Sequence, residues 1–235
     1  MTKIDVTFDF RSDSGGKDPD SASPRLREYH RLLWSKRLPS GPVLSLENGP
    51  GPLLTASTSL GYSRFSSDTI TNSLGSHRAT QRVMIKSHED LIQETRDIGS
   101  TIGARIIFPG DQVAGLRTIN VLRGFHPLIR DRFDLTLECI KRHYGQETSP
   151  LSEVLCRYSD FFKLFEDFKG YVDFFLLSDW VSDSGIRLLT ADGKGLGANP
   201  YPQSSREYET YLKRTIECVI LRNERIRAWA SAQDC

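Results

Sequence analysis

GARIIFPGDQVAGLRTINVLRGFHPLIRDRFDLTLECIKRHY, residues 103–144, carries two hydrophobic patterns in one stretch. Ala104–Phe108 is an apolar run of strand length, and Leu116–Leu122 can return beside it as a hairpin partner after a turn from Pro109-Gly110 to Gly115. Pro127 then opens a helix that should reach Tyr144 and stop at Gly145. A hairpin running straight into a helix puts the chain in the α+β class, with short antiparallel strands and a predominantly helical C-terminal half.

On a helical wheel through that last segment, Ile129, Phe133, Leu137, Ile140 and Tyr144 share one side, while Leu128, Leu135 and Cys139 form a second apolar arc. Asp131, Asp134, Glu138 and Arg142 fall in a line between the two arcs. A charged line flanked by two covered faces is expected to border a groove. Carboxylates on successive turns there could take or give a proton, which makes Glu138 and Asp134 the candidate catalytic residues. Arg142 would orient them and bind ligand. Asn120 and Arg123 immediately precede the helix, beside Gly124, and complete the ligand-binding candidates: a guanidinium offers a planar fork for phosphate or carboxylate, and an amide both donates and accepts. The competing reading makes Glu138 and Arg142 an ordinary i,i+4 pair on a solvated face, worth ~0.3–0.5 kcal/mol. It also has Asn120 holding a turn and Arg123 paired with Asp131 or Asp134.

Working outward, SPLSEVLCRYSDFFKLFEDF (149–168) places its large apolar residues on one helical face, so it predicts a packing helix. Tyr171–Val181 is apolar nearly all round and must be buried, with Asp173 inside it paired to Arg105, Arg123 or Arg132. A terminal helix follows from about Ser205 to Trp229. Toward the N-terminus, the spacing of Leu91, Ile92 and Ile98 predicts a modest helix from His88 to Ile98 that Gly99 can end, and Ser23-Pro24 caps a helix with Leu26, Tyr29, Leu33 and Trp34 on its inner stripe. SRFSSDTI (63–70) sets Arg64, Ser66, Ser67 and Asp68 on or beside a short strand, with Ser67-Asp68 read as a turn. Val6, Phe8 and Phe10 alternate with polar residues and predict an N-terminal strand. The expected organisation is one domain over 1–235: strand and loop at 1–23, the hairpin-helix unit at 103–144, and the helical part at 149–229.

At 235 residues the chain can bury roughly 70% of its unfolded surface, and 26% charged residues place it in the ordinary globular range. A net charge of +1 argues against a strong general affinity for nucleic acid. Four separated cysteines, Cys139, Cys156, Cys218 and Cys235, form no CxxC pair and are expected to be reduced thiols of a cytoplasmic protein. No apolar run approaches the ~20 residues of a membrane span. Asp9, Asp13, Asp18 and Asp20 lack calcium-loop spacing, and His30, His77, His88, His126 and His143 show no metal-binding pattern, so no metal is assigned. GKGLG (193–197) lacks the spacing of a phosphate loop.

The blocks YHRLLWSKRLPSG (29–41), LGYSRFSSDTI (60–70), IGARIIFPG (102–110), TINVLRGFHPLIRDRFDLTLECIKRHY (118–144) and SPLSEVLCRYSDFFKLFEDFKGYVDFFLLSD (149–179) resemble a family of mostly bacterial proteins known as a domain of unknown function. The resemblance covers most of the chain and implies no activity or cofactor. The residues themselves point to an intracellular enzyme acting on a phosphate-containing ligand, such as a nucleotide, another anionic small molecule or a nucleic-acid end. The alternative is a noncatalytic ligand-sensing or protein-interaction module, serving bacterial stress or phage defence, with the aromatic segment 151–168 as a partner surface.

Overall fold

A computed structural model describes residues 4–58, 61–72, 74, 86–190 and 195–233. His77, Cys235 and the Gly193-Lys194 half of the glycine-rich loop lie outside those residues. The architecture is α+β, and buried apolar side chains from Ile4 to Ile226 form one continuous core.

A four-stranded antiparallel sheet runs in the order β1 (Glu47–Asn48), β2 (Leu54–Thr58), β3 (Gly61–Thr69), β4 (Arg105–Pro109). The strand expected at Ala104–Phe108 is thus present, but its partner is β3, paired from Phe65 opposite Pro109 to Thr69 opposite Arg105. Leu116–Leu122 is no strand. After Ala114 and Gly115 turn the chain through left-handed backbone, Ile119–Phe125 forms a helix whose Ile119 and Arg123 point inward. Every residue of β4 is buried, so the strand takes its neighbour from a long strand inside the sheet.

The helices are α1 (Pro19–Ala22), α2 (Pro24–Trp34), α3 (Glu89–Ile98), α4 (Ile119–Phe125), α5 (Phe133–Tyr144), α6 (Ser152–Arg157), α7 (Ser159–Lys163), α8 (Phe168–Phe174) and α9 (Ser205–Ala232). As the sequence predicts, Ser23 caps α2 by accepting from Leu26 N at 3.0 Å, and Leu26, Tyr29, Leu33 and Trp34 are its buried stripe. The N-terminal strand does not form. Asp5 and Asp9 accept from the backbone N–H of Thr7 and Arg11, both at 2.9 Å, and these local acceptors bend the chain into successive turns that still bury Val6 and Phe10.

Three helical expectations also change. Arg130 and Asp131 adopt φ of 49° and 62°, so the helix expected from Pro127 begins only at Phe133, and Asp131 lies in a left-handed turn that donates its N–H to Arg123 O at 3.0 Å. The segment 149–168 breaks at Tyr158, which swings Phe161, Phe162 and Phe165 into an aromatic cluster with Tyr171, Phe174 and Phe175. Those rings are buried, so the aromatic face of this segment packs into the core. Asp173, on the outer side of α8, is exposed and paired with Lys169, because a carboxylate one turn from a lysine needs no buried arginine.

The long α9 is pinned to the start of β4. Arg222, fully buried, donates Nη1 to the carbonyls of Gly103 and Arg105, each at 2.9 Å, and Nε and Nη2 to Phe175 O. Asn223 accepts from Gly103 N at 2.7 Å, and a Cβ on Gly103 would stand 2.6 Å from its Oδ1, so only glycine fits this crossing. This anchorage fixes where Arg105 enters the sheet.

Candidate functional site

The structure distributes the five predicted site residues among separate hydrogen-bond sets. Asp134 is fully buried in α5; its Oδ1 and Oδ2 accept from Arg132, and Oδ2 also accepts from Leu189 N at 3.0 Å, while Arg132 spends Nη1 on Pro200 O. That pair ties α5 to the loop before α9. Glu138 and Arg142 form a partly exposed i,i+4 pair at 3.0 Å, and Arg142 also donates to Thr148 O. Asn120 donates to Ser66 Oγ at 3.0 Å. Arg123, one turn further along α4, meets Asp68, the next side chain on the same face of β3 as Ser66.

Along β3 successive side chains alternate between faces, so Ser66 and Asp68 point one way and Ser67 and Thr69 the other. On the first face, Arg123 places Nη1 2.6 Å from Asp68 Oδ2 and 2.7 Å from Asp131 Oδ1, with further bonds to Thr69 O, Thr136 Oγ1 and Asp131 O. Asn72 donates to the other oxygen of Asp131 at 3.2 Å. Burial works against the charge on Arg123, yet Asp131 and Asp68 outweigh it and hold the guanidinium above its ordinary value. The carboxylates carry the cost: burial pushes Asp68 up to about 7 against the pull of Arg123, with Asp131 and Asp20 adding repulsion, and burial raises Asp131 as well.

On the second face the bonds form a directed chain. The Trp34 indole N–H can only donate, and it meets His30 Nδ1 at 3.0 Å. His30 must therefore carry its proton on Nε2, which lies 2.8 Å from Ser67 Oγ, and Ser67 in turn donates to Asp20 Oδ1 at 2.6 Å. Burial, with Arg105 and Arg222 nearby, pushes His30 down to about 3, so the imidazole is neutral. Its protonated Nε2 cannot accept from Ser67, which excludes a serine activated by histidine. Arg105 closes the chain, donating Nη1 to Asp20 Oδ2 at 2.6 Å.

Between these two sets opens a cleft of about 470 Å³ whose lining includes Arg11, Arg96, Arg105, Thr71, Asn72 and Asp131. Gly99 sets its width: a Cβ there would meet Thr71 Oγ1 at 2.7 Å, so glycine lets the end of α3 come down beside the strand's exit. Arg11 is engaged by Asp9 and Asp97. Arg96, exposed in the last turn of α3, has no ion-pair partner among the described residues. Arg105 is more telling. Its side chain is only 7% exposed, its Nε meets no acceptor, and of five N–H donors only Nη1 is given away among the described residues. A buried guanidinium with unspent donors beside an open cleft calls for acceptor oxygens.

Among the described residues, no group of three His, Cys, Asp or Glu side chains is placed to hold a metal ion. Asp20, Asp68, Arg96 and Arg105 were not among the predicted site residues. Ser67 and Asp68 sit in the last turns of pleat of β3 rather than in a turn, because β3 extends to Thr69 to match all of β4. The single charge inside the apolar run 104–108 was the available signal for Arg105. No helix among the described residues is long and apolar enough to cross a membrane.

No curated protein and no solved structure matches the chain. The model of a family of unknown function, DUF6994, matches residues 4–226, and the chain therefore belongs to that family.

Proposed function

We propose that this chain is an intracellular enzyme acting on a phosphate-containing small molecule, such as a nucleotide, held in the cleft at the end of the sheet. The observation that carries this reading is Arg105, almost fully buried, lining the cleft and using one donor of five. With Arg96 it supplies a fork and a free positive charge for the anion. Asp131 faces the same cleft and transfers the proton. Asp68 stands behind it on the shared Arg123 nitrogen and keeps one carboxyl of the pair protonated near neutrality. Glu138 and Asp134 do not enter this mechanism, since Asp134 is consumed by Arg132 and Leu189 and Glu138 by Arg142.

The test is a thermal-shift screen of inorganic phosphate, nucleoside mono- and triphosphates and sugar phosphates, repeated on Arg96→Ala and Arg105→Lys, with turnover of the best ligand measured on Asp131→Asn. Stabilisation lost in both arginine variants, and turnover lost with binding retained in Asp131→Asn, support the reading. A ligand that stabilises all variants equally rejects the cleft.

The second reading, a protein-interaction module, draws on a different surface. Val121, Phe125 and Leu128 stand out around α4, with Phe125 70% exposed. Comparing oligomeric state and partner capture for wild type and Phe125→Ser distinguishes the two.

A further inference from the structure

Helix α3 has a second side. Thr95, Arg96 and Gly99 face the cleft already described, whereas Asp90, Glu94 and Asp97 border a separate groove of about 630 Å³ between α3, α9 and the N-terminal turns. Its apolar lining is Val6, Ile98, Ile216 and Ile220, and Ile220 is 42% exposed although it belongs to the long helix that anchors the sheet. That volume is the size of a small-molecule site.

The charges left unpaired in the groove point to the chemistry of an occupant. Several side-chain donors along the groove are given to protein acceptors: Thr7 Oγ1 to Asp5, one N–H of Gln93 to Asp97, one N–H of Asn223 to Thr101, and Thr101 Oγ1 to Ile98 O. The charge left open along the rim is net negative, three carboxylates against one guanidinium. Asp90 and Glu94 from α3 and Glu224 from α9 are exposed and form no ion pair among the described residues. Arg227 is the one basic side chain in the lining, and its charge is felt by Asp5. An occupant that brings positive charge while covering an aliphatic surface complements this rim and floor.

We propose that this groove binds an aliphatic oligoamine, a methylene chain interrupted by ammonium groups. Asp90 and Glu94 stand one turn apart on α3, about 6 Å along the axis. Three or four methylenes separate two ammonium groups by a comparable span. The methylenes would lie on Ile98, Ile216 and Ile220, and an ammonium at the far end would meet Glu224 on α9. Every charge then sits at the wet rim and every apolar segment on the floor, so no ammonium needs to be buried.

Isothermal titration calorimetry with spermidine tests this on the full chain, with 1,8-octanediol as a neutral partner of similar length. The expected result is saturable 1:1 binding of spermidine, no binding of the diol, and a loss on the order of tenfold in affinity in Glu94→Gln/Glu224→Gln, the worth of two rim ion pairs. Ile220→Lys, which supplies an ammonium of its own to the groove, should weaken binding by a similar factor. Absence of spermidine binding to the wild type overturns the proposal. So does equal affinity in both variants, which would place the amine elsewhere, or equal binding of the diol, which would make the groove merely apolar.

Discussion

Asp68 and Asp131 meet the same nitrogen of Arg123, at 2.6 and 2.7 Å, one carboxylate from a strand and the other from a left-handed turn. Two carboxyl groups on one cation cannot both keep a full negative charge cheaply, and burial has already raised both. Burial therefore favours a proton on one member of the pair, and Asp68 is the one pushed up to about 7.

For a ligand that is turned over, the rate should change across pH 7 as this pair loses its proton. Asp68→Asn removes one titrating member and should flatten that limb, while leaving KM within about threefold because Asp68 does not line the cleft. A pH–rate profile identical to that of the wild type would show that Asp68 has no part in the proton step.

His30 makes a stability prediction with a definite sign. Its folded pKa of about 3 lies below the unfolded value of 6.5, so its contribution is complete above pH 6.5 and is lost as pH falls toward 3 and the unfolded chain takes the proton first. At pH 5 the loss is about 2 kcal/mol. Urea titrations at pH 7.5 and 5 on wild type and His30→Gln should show the smaller drop in the variant. The difference between the two chains matters here, because Asp20, Asp68 and Asp131, raised in the folded state, favour folding at low pH and lose that contribution as pH rises.

Two ion pairs anchored on or beside α5 should differ widely. Arg132→Met strands the buried Asp134 and should cost about 3–5 kcal/mol. Arg142→Ala breaks the partly exposed pair with Glu138 and should cost below about 1 kcal/mol. Chemical denaturation of both variants measures the contrast, and comparable losses would contradict the assigned burial.

Gly103→Ala forces a methyl against Asn223 Oδ1 and Val219 O, and should cost about 1–3 kcal/mol. Because the crossing positions β4, phosphate-ligand affinity at the cleft should fall along with the melting temperature.

Local patterns in the sequence were informative where a structure depends on local rules. The Ser23-Pro24 start of α2, the Gly99 stop of α3 and the apolar run of β4 all follow from capping, helix termination and burial. Partner choice was harder to read. Leu116–Leu122 has strand-like composition, but β4 found a longer partner in β3, and the residues left over closed into α4. The alternative that paired Arg123 with Asp131 was legible from proximity in the chain, whereas Asp68 reaches the same nitrogen only through the sheet. Arg96 gave no signal at all, since a cation in the last turn of a helix is favourable without any ligand.

The clamp of Arg222 and Asn223 on Gly103 also has a temporal side. Strand β4, Arg105 and the cleft it lines are held by residues more than a hundred positions further along the chain. On a ribosome, the sheet edge can be translated early but locked only after Asn223 has emerged, so the cleft is among the last features to become rigid during synthesis.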